Sequence, residues 1–552
     1  MSADDLARLA GRHLDLQRAP FTLPGSRILV FRSIDGAGIR VHTAEYEKSL
    51  DECRVIDRLV VRDPSGAVLP VTAVLPQAVE LGGGAATLVF DGAGALSLGA
   101  AEAGASAEWT APDGGTHLAA LDPALRFAVA ADRRITVTSS DAQADAGARS
   151  ARTWQDWFAK CPIVRDDLQE MTAFCWWVLG ANIIRLPALQ GARPVVPSKI
   201  GYVGLWQWDA YFIAAGLRHG DPELAREQLD LAFRFPTDAG QLPDVVHEEG
   251  VLASSDDLPR ADRDRLRRAG SAIADPNAPV PLTKPPLSAW ALRKVLEAAP
   301  ETPGIRAWAQ RQLQTIRRSQ DWWFAHSDLD GDGMPEYGHP YSSGLDDSPI
   351  FDGPLPTTAP DLGAYLVRQD LELAQFAEEY GDADPAFHRD RAARTFALLE
   401  EMWDAGRSAF LARAAGEPVA SDAITGLMPL LTGMLPPETS AALVAAIDDP
   451  QRYATPWGLP TVAASDPDFS PTRMWRGPVW INTNVLVAEG LEASGHPERA
   501  RDLRERTVAL VMHGGGPHEY FNPLTGDKAP TATTAFGWSA ALFVDLAVQL
   551  SR

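Results

Sequence analysis

The chain is poor in cysteine, in positive charge and in long apolar runs. Its 552 residues include only Cys53, Cys161 and Cys175, an odd number with no metal-ligand spacing. The sequence therefore predicts reduced, buried thiols in a cytoplasmic protein rather than a disulfide framework. The formal net charge of −23 argues against nucleic acid and against an anionic membrane surface as partners.

Targeting and cofactor signatures are also missing from the sequence. The first residues, Met1 to Leu9, lack the basic start and apolar stretch of a signal peptide, and no apolar run is long enough to span a membrane. There is no Walker loop, no dinucleotide-binding fingerprint and no Cys/His cluster. We therefore expect no cofactor and no metal at the chemical site, while the oligomeric state stays open.

Two regions of the chain carry different patterns. From about Arg27 to Thr138, short apolar and β-branched runs alternate with glycine and aspartate turns, which is typical of an antiparallel sandwich. Beyond about Asp166 the pattern becomes helical and repetitive. We predict an N-terminal β-sandwich-like domain at residues 1–150, a linker at 151–165 and a helical domain at 166–552.

Three junctions of the helical region share one order: an apolar helix, a glycine turn and a second helix that begins at proline. They lie at Gly220–Pro222, Gly381–Pro385 and Gly495–Pro497. Glycine ends a helix readily, and proline is tolerated in the first turn of the next. Further pairs are indicated near Leu287–Ala298, Thr425–Leu435 and Phe536–Leu550. About six pairs predict a mainly α protein with an (α/α)6 barrel, and an irregular helical bundle or solenoid is the alternative.

Polar and aromatic clusters lie just before, or at the start of, the predicted inner helices. They are Trp206–Asp209, Ser343–Asp347, Met474–Asn484 and His518–Tyr520, with Trp538 at the last helix. If the inner helices run parallel around a ring, these segments meet at one rim. Of the 16 tryptophans, 15 follow residue 150, and aromatic faces suit the C–H faces of a sugar. Two carboxyl groups are what cleavage of a glycosidic bond requires, so the pattern predicts a glycoside hydrolase.

Each cluster also has a purely structural interpretation. Asp209 can cap a helix, and Asp346 and Asp347 can form a turn. Glu519 can be one of many surface glutamates, and the Arg476–Asn484 segment can form a buried hydrogen-bond network. Composition and spacing do not choose the acid among the three aspartates. Only the joint placement of the clusters on one rim favours a sugar site.

The segment Asp328–Glu336 imitates the start of a calcium-binding loop, with aspartates at alternate positions. The last ligand position of that register is His339, where an EF-hand has glutamate. A hydrogen-bonded acidic turn is therefore the preferred interpretation, with calcium as the alternative.

At these residues the chain resembles glycoside hydrolase family 63 and its relatives among the (α/α)6-barrel glycosidases. The matching segments appear in family order and span essentially the whole helical region: Trp206–Asp209, Ser343–Pro349, Trp475–Asn482, Glu519–Pro523 and Phe536–Ala540. The β-rich first domain looks like the N-terminal sandwich that such enzymes carry.

The resemblance implies roles for individual residues. Asp346, which follows Ser-Gly and one apolar residue, is the expected general acid, and Glu519, after the glycine-rich stretch, is the expected base. An inverting reaction on α-glucosides or related α-glycosides, including mannosylglycerate and glucosylglycerate, is implied. Residues expected to bind or enclose the substrate are Trp206, Trp208, Asp209, Ser343, Asp347, Arg476, Trp480, Asn482, His518, Tyr520 and Trp538.

The expected chemistry sets conditions on the two carboxyl groups. Asp346 is expected to be kept protonated by desolvation and by the nearby charge of Asp347. Glu519 is expected to be ionised and to activate water on the opposite face of the sugar. An inverting pair stands roughly 6.5–9.5 Å apart, whereas a retaining pair stands at about 5–5.5 Å.

Other functions of the same barrel remain as alternatives. Trehalases share the Ser-Gly-x-Asp acid and the glycine-rich base segment, but their Gln-Trp-Asp-x-Pro stretch is replaced by Trp475–Trp480 and their Pro-Gly-Gly-Arg-Phe entry by Pro197–Gly201. A phosphorylase would have a phosphate pocket in place of Glu519. A lyase would show a tyrosine–histidine pair and a basic groove, and a non-catalytic sugar-binding protein would not require both carboxylates.

The substrate itself is not determined by the sequence. A small carbohydrate is the expected ligand, and a glycerate-bearing one would need a cationic or tyrosine-rich leaving-group subsite. Arg234, Lys284 and Tyr341 are the candidates for that subsite.

Overall fold

The computed structural model describes residues 1–248, 250–257 and 279–552. The chain divides into two compact units. The first comprises Met1–Gly204, Gly515–Pro517 and Thr533–Ser551, and the second comprises Leu205–Gly514 and His518–Ala532 with Arg552. The C-terminal segment is thus part of the same unit as the N-terminal strands. The predicted division at 150 and 165 stays a prediction.

Two antiparallel sheets form much of the first unit. In one, the order is β1-β2-β3-β8-β9, and in the other it is β11-β10-β7-β6-β5-β4. Trp109 of the first sheet meets Phe127 of the second edge to face at 5.4 Å. The predicted sheet-rich N-terminal region is confirmed. The strands are β1 (Ile28–Arg32), β2 (Ile39–Thr43), β3 (Arg54–Arg62), β4 (Val71–Val74), β5 (Ala78–Leu81), β6 (Ala86–Phe90), β7 (Ala95–Ala100), β8 (Ser106–Thr110), β9 (Thr116–Ala120), β10 (Ala124–Val129) and β11 (Ile135–Ser139).

Helices make up most of the remaining regular structure. In chain order they are α1 (Ala3–Gly11), α2 (Gln143–Phe158), α3 (Asp166–Ala181), α4 (Gln207–Leu217), α5 (Pro222–Ala232), α6 (Ser288–Glu297), α7 (Pro303–His326), α8 (Pro360–Tyr380), α9 (Pro385–Glu400), α10 (Pro437–Asp448), α11 (Ile481–Ala493), α12 (Pro497–His513) and α13 (Gly537–Leu550). α2 occupies part of the segment expected to be a linker. In the first unit α3 packs against α13, and both helices are largely buried.

Hairpins of two helices organise the second unit. α4 pairs with α5, α6 with α7, α8 with α9, and α11 with α12. Every residue of α4 is buried, whereas α5 buries one face only. α5, α9 and α12 begin at prolines, as the turn pattern predicts. The first helices of successive hairpins also contact one another, α4 with α6 and α6 with α8. An apolar helix followed by an amphipathic one thus recurs in α4–α5 and α11–α12 of this second unit, which we call the helical unit.

One predicted inner helix has a different geometry. Residues Ile424–Thr432 form a 3-10 helix that contacts both α8 and α11. Pro429 lies inside it and lacks the N–H that an α-helix needs. At Gly426 an added Cβ would lie 2.6 Å from the carbonyl oxygen of Phe410, so the backbone approaches its neighbour more closely than a side chain permits. The apolar pattern alone does not reveal this distortion.

A short sheet brings a loop to the start of α4. β12 (Leu205–Trp206) pairs with β13 (Val245–His247), which pairs with β14 (Gly250–Leu252). The N–H of Gln207 donates to the carbonyl oxygen of Asp244 at 3.1 Å, so Asp244 lies beside the first turn of α4. The other short strands are β15 (Thr357–Thr358), β16 (Trp403–Asp404), β17 (Ala409–Phe410), β18 (Arg413–Ala414) and β19 (Glu417–Pro418). Within the described residues, no helix is both long and apolar enough to cross a membrane.

Candidate active site

The turn that carries Asp346 is shaped by its own sequence. The hydroxyl of Ser343 donates to the carbonyl oxygen of Pro340 at 2.7 Å and accepts the N–H of Leu345 at 2.9 Å. Gly344 has φ +69°, and a Cβ there would lie 2.2 Å from Cζ2 of Trp208. Glycine is therefore required both by the backbone and by the indole that packs on it. Ser343 and Trp208, predicted as substrate binders, hold this turn in place.

Asp346 is partly exposed, and its Oδ1 is buried and accepts no hydrogen bond from the residues that the structure describes. Burial raises the pKa of Asp346 to about 6, Lys284 opposes that rise, and Asp244 and Asp347 add to it. The predicted effect of desolvation is present, and Asp244 contributes more than the predicted neighbour Asp347. A carboxyl with this pKa is protonated in mildly acidic solution, as a general acid must be.

Asp209 lies in the first turn of α4 and is 5% exposed. Burial raises its pKa well above the ordinary value, Lys284 lowers it, and Asp244 and Glu519 raise it further. Asp209 therefore shares an electrostatic environment with the predicted base as well as with Lys284. The N-cap of α4 is Trp206, so the capping interpretation of Asp209 is wrong, and the predicted binding of a sugar hydroxyl stays a prediction.

Glu519 is buried and lies on a segment joined to the arginine–tryptophan motif. Val479 and Phe521 exchange two backbone hydrogen bonds, with N–O distances of 2.8 and 3.0 Å. The hydroxyl of Tyr520, the residue after the base, shares a hydrogen bond of 2.8 Å with Thr531. The surface interpretation of Glu519 does not hold, because the residue is only 3% exposed.

Aromatic rings form a continuous stack beside the base. Trp475 and Trp480 lie 3.6 Å apart and nearly parallel, and Trp480 and Tyr520 stack at 4.7 Å. The indole N–H of Trp480 donates to the carbonyl oxygen of Met474 at 2.8 Å. The interplanar angles are 8° to Trp475 and 28° to Tyr520, so Trp480 packs against two neighbouring rings, and its predicted stacking against a sugar stays a prediction.

Arg476 is held by carboxylates rather than left open to a ligand. Its guanidinium, on a side chain 9% exposed, bonds both oxygens of Asp352 and reaches Asp347 at 3.4 Å and Asp468 at 3.8 Å. Arg473 adds two hydrogen bonds to Asp347, at 2.9 and 2.8 Å. Asp347 is therefore a paired carboxylate whose charge is balanced by arginine. The predicted binding of sugar hydroxyls by Arg476 stays a prediction.

Two predicted binders differ in how their polar atoms are satisfied. Asn482, in the first turn of α11, is fully buried, and neither its Oδ1 nor its Nδ2 has a hydrogen-bond partner in the described part of the chain. A buried amide without partners favours a bound polar ligand or water. The Nε2 of His518 lies 3.0 Å from the carbonyl oxygen of Gly514, which fixes the imidazole next to the base.

The remaining predicted residues lie in several places. Trp206 precedes α4 and is half-buried. Trp538 belongs to the first unit, in the first turn of α13, where it meets Phe536 edge to face at 5.1 Å. Arg234 lies over the ring of Phe235, and the carbonyl oxygen of Tyr341 accepts a hydrogen bond from Lys284.

Asp244 is a residue of the site region that no sequence motif singles out. Its Oδ1 lies 2.7 Å from Nζ of Lys284, and both side chains are almost fully buried. The sequence offers Lys284 only as a candidate for the leaving-group subsite. No sequence motif indicates the Lys284–Asp244 pair, since the two residues are distant in sequence and meet only in the fold. A proline lies next to each of them, Pro243 and Pro285, which is a weak signal of a fixed backbone.

The acidic segment after α7 forms a turn stabilised by its own backbone. Carboxylate oxygens of Asp328, Asp330 and Asp332 lie within 4.8 Å of one another. N–H groups of Gly331 and Gly333 donate to Asp328, at 3.0 and 3.1 Å. This is the hydrogen-bonded acidic turn that the sequence predicts, and the calcium alternative stays untested.

Comparison with known proteins identifies the family. Residues 202–539, more than half of the chain, match the model described as the mannosylglycerate hydrolase MGH1-like glycoside hydrolase domain. Among similar proteins, the mannosylglycerate hydrolase of Thermus thermophilus is 29% identical over 413 residues, covering 63% of this chain and 95% of that protein. The glucosylglycerate hydrolase of Mycolicibacterium hassiacum is 26% identical over 435 residues, covering 62% and 92%.

Solved structures agree with this assignment. The family 63 mannosylglycerate hydrolase of Thermus thermophilus, in complex with Tris and D-glycerate, has a TM-score of 0.57 at 26% identity and covers 67% of this chain and 98% of its own. Neutral trehalase of Saccharomyces cerevisiae, at 16% identity and a TM-score of 0.52, covers 68% and 79% and shares the fold. The chain belongs to the MGH1-like branch of glycoside hydrolase family 63 and is a glycoside hydrolase.

Proposed function

We propose that this glycoside hydrolase cleaves an α-linked glucoside or a related α-glycoside with inversion, using Asp346 as the general acid and Glu519 as the general base. The observation that carries the proposal is the state of Asp346. Its pKa is raised by burial to about 6, and its Oδ1 is buried without a hydrogen bond from the described residues. Such an oxygen can hold the proton that the leaving oxygen of the substrate receives.

The base is proposed from its placement in the helical unit. Glu519 is buried next to Tyr520 and raises the pKa of Asp209, so it belongs to the same group of carboxyls. Ionised Glu519 would take a proton from the attacking water while Asp346 protonates the departing oxygen. Inversion requires the two carboxyl groups to stand roughly 6.5–9.5 Å apart across the sugar. Asp209 and Asn482 would bind hydroxyls of the same ring.

The proposal includes the architecture that supports the site. In the described part of the chain, four α-helical hairpins lie in the second unit together with the 3-10 helix and α10, and α3 and α13 form a further pair in the first unit. These pairs support an (α/α)6 barrel, and the two sheets support a β-sandwich-like domain before it. The division at 150 and 165 is proposed from the sequence alone. The three cysteines are buried and unpaired, which fits the predicted cytoplasmic location.

The substrate is proposed at the level of its class. Relatives are named for mannosylglycerate and for glucosylglycerate. Both compounds carry an α-linked hexose on glycerate, which is mannose in the first and glucose in the second. A screen should therefore cover both compounds together with neutral α-glucosides, α-mannosides and trehalose. Trehalose tests the trehalase alternative directly, and added phosphate tests for phosphorolysis.

The test compares wild type with Asp346→Asn and Glu519→Gln on this panel. We expect hydrolysis of at least one α-glycoside by wild type and a loss of roughly 10³-fold or more in kcat for each variant, because each removes one proton-transfer group. Asp328→Asn, in the acidic turn, is the matched carboxylate control and should keep full turnover. Binding without turnover by wild type would favour a sugar-binding protein, and an active Asp346→Asn would move the acid elsewhere.

A further inference from the structure

The buried ammonium of Lys284 interacts with several carboxyl groups of the candidate site. Nζ of Lys284 lies 2.7 Å from Oδ1 of Asp244 and donates to the carbonyl oxygen of Tyr341 at 2.7 Å. The Lys284 and Asp244 side chains are only 6% and 4% exposed. Lys284 also acts on Asp209 and Asp346, so a single positive charge is shared among three aspartates.

The segment around Lys284 joins two parts of the site mechanically. The side-chain oxygen of Gln207, in the first turn of α4, accepts the N–H of Lys284 at 3.1 Å and the hydroxyl of Thr283 at 3.4 Å. The N–H of Thr283 donates to the hydroxyl of Ser342 at 3.3 Å. Residues 283–284 thereby connect the helix that carries Asp209 to the turn that precedes Asp346.

The charges around Asp346 oppose one another. Lys284 lowers the pKa of Asp346 while Asp244 and Asp347 raise it, and burial is the largest influence. Burial lowers the pKa of Lys284, but the charges of Asp244, Asp346 and Asp209 together raise it by more. Its pKa therefore lies above the ordinary value, and the ammonium stays charged.

Other ionisable groups around this cluster have restricted effects. Burial and Lys284 lower the pKa of His339 to about 4, so the imidazole is neutral at working pH. Arg473 and Arg476 neutralise Asp347. The charge of Glu519 raises the pKa of Asp209, a neighbour of Lys284 in this cluster. The Lys284–Asp244 pair is therefore the part of the surroundings whose removal changes the charge next to Asp346 most directly.

We propose that Lys284 and Asp244 form a positioning pair for the general acid: together they fix the turn of Asp346 against α4, and the balance of their opposite charges decides the pH range in which Asp346 donates its proton. This inference rests on the proposed function of Asp346. Neither residue has to touch the substrate for the effect.

Because Lys284 and Asp244 carry opposite charges, removing each charge should shift the pH profile in the opposite direction. The experiment measures kcat/KM against pH, on the best substrate of the panel, for wild type, Lys284→Met, Asp244→Asn and the double variant. Loss of the positive charge raises the pKa of Asp346, so the alkaline limb of the Lys284→Met profile should move up by about one pH unit or more. Loss of the negative charge should move the Asp244→Asn limb down by a similar amount, and the double variant should return towards wild type.

A second lysine–carboxylate pair serves as the control. Lys294 of α6 and Glu489 of α11 lie 2.8 Å apart in the same unit, and neither is among the charges found to act on Asp346. Lys294→Met should leave the alkaline limb in place even if stability falls. The same profile measured with an α-glycosyl fluoride, whose departing fluoride needs less protonation, should lose most of its alkaline limb, which assigns that limb to the acid.

The outcomes separate this inference from the proposed function. The proposed pairing is overturned if the alkaline limb of the pH profile stays in place in both single variants, or if it moves in the same direction in both. If Lys284→Met does not fold, the isosteric Asp244→Asn variant decides alone by the direction of its shift. If wild type hydrolyses nothing, the proposed function fails, and infrared titration of the carboxyl band that Asp346→Asn removes still reports whether Asp244→Asn lowers its midpoint.

Discussion

Two groups of buried carboxylates in the helical unit handle charge in opposite ways. Asp370, on α8, is fully buried and accepts two hydrogen bonds from Arg391, both at 2.8 Å, one from His388 and one from Gln320. Every oxygen of that carboxylate is satisfied. The group around Asp346 has one ammonium for several carboxyls and an oxygen that no described residue bonds. A balanced cluster stabilises the fold, whereas an unbalanced one keeps a proton available.

The largest expected effects are a loss of stability when the Asp370 cluster is changed and a loss of activity when Asp346 is changed. Asp370→Ala leaves Arg391 buried without its main partner and should lower the free energy of unfolding by about 3–5 kcal/mol. Turnover per folded molecule should stay near wild type. Asp346→Asn should do the reverse, with turnover lost and stability kept. Urea unfolding and initial rates on the same preparations check both; a large stability loss in Asp346→Asn would remove the contrast.

The difference in stability between wild type and Asp346→Asn should also depend on pH, and its direction can be stated. The folded pKa of Asp346 is raised to about 6, so the native state binds the proton more tightly than the unfolded chain, and wild-type stability falls as pH rises from about 4 through 6. Asparagine does not titrate, so the variant should gain relative to wild type above pH 6. Equal slopes of unfolding free energy against pH would show that Asp346 is not perturbed in the folded state.

Gly344→Ala tests how closely the acid turn is packed. The added methyl would collide with Trp208 and would also hold alanine at φ +69°. We expect kcat to fall by about 10²-fold, because small displacements of a catalytic group have effects of that order. Gly381→Ala is the matched control, since Gly381 has φ +67° with open space around it. That control should lose only about 1–2 kcal/mol of stability and keep its turnover.

Asp361 offers an intermediate case between the two clusters. It is fully buried in the first turn of α8, and its Oδ2 accepts the hydroxyl of Tyr337 at 3.0 Å. Burial raises its pKa to about 7, opposed by that hydrogen bond, so wild-type stability falls as pH rises from about 4 to 7. Asp361→Asn should therefore be more stable than wild type at pH 8, by on the order of 2 kcal/mol, and lose the advantage near pH 4. A variant that is less stable at both pH values would contradict this account.

The smallest expected effect concerns Arg473. Its side chain is 58% exposed, and its partner Asp347 keeps a second contact to Arg476. Exposed pairs contribute about 1 kcal/mol or less, so Arg473→Met should change stability within that range and kcat by less than about threefold. Arg476→Met, which leaves the partly buried contacts to Asp347 and Asp352 unmade, should be clearly worse in both. Equal effects of the two variants would show that exposure does not govern this network.

The sequence predicts the fold further than it predicts the site. Periodicity and the glycine–proline junctions anticipate the helical hairpins, because those signals are local. They fail at Ile424–Thr432, where a proline and a close approach to Phe410 produce a 3-10 helix. They also do not show that α13, at the end of the chain, belongs to the same compact unit as the N-terminal strands.

Within the site, motif-borne residues could be predicted and long-range partners could not. Asp346 and Glu519 lie in recognisable segments of the sequence, and both belong to the second compact unit. The Lys284–Asp244 pair depends on two segments meeting in space, which no local pattern encodes. Trp480 shows the converse limit: its identity suggests sugar stacking, but only the fold reveals Trp475 and Tyr520 against its ring.

The most direct test of the central claim is the anomer that forms first. Proton NMR of wild type acting on its best α-glycoside distinguishes the anomers before mutarotation mixes them. If Asp346 and Glu519 act as acid and base across the sugar, the β-anomer appears first. An α-anomer appearing first would mean a covalent intermediate and would contradict the roles assigned to both residues.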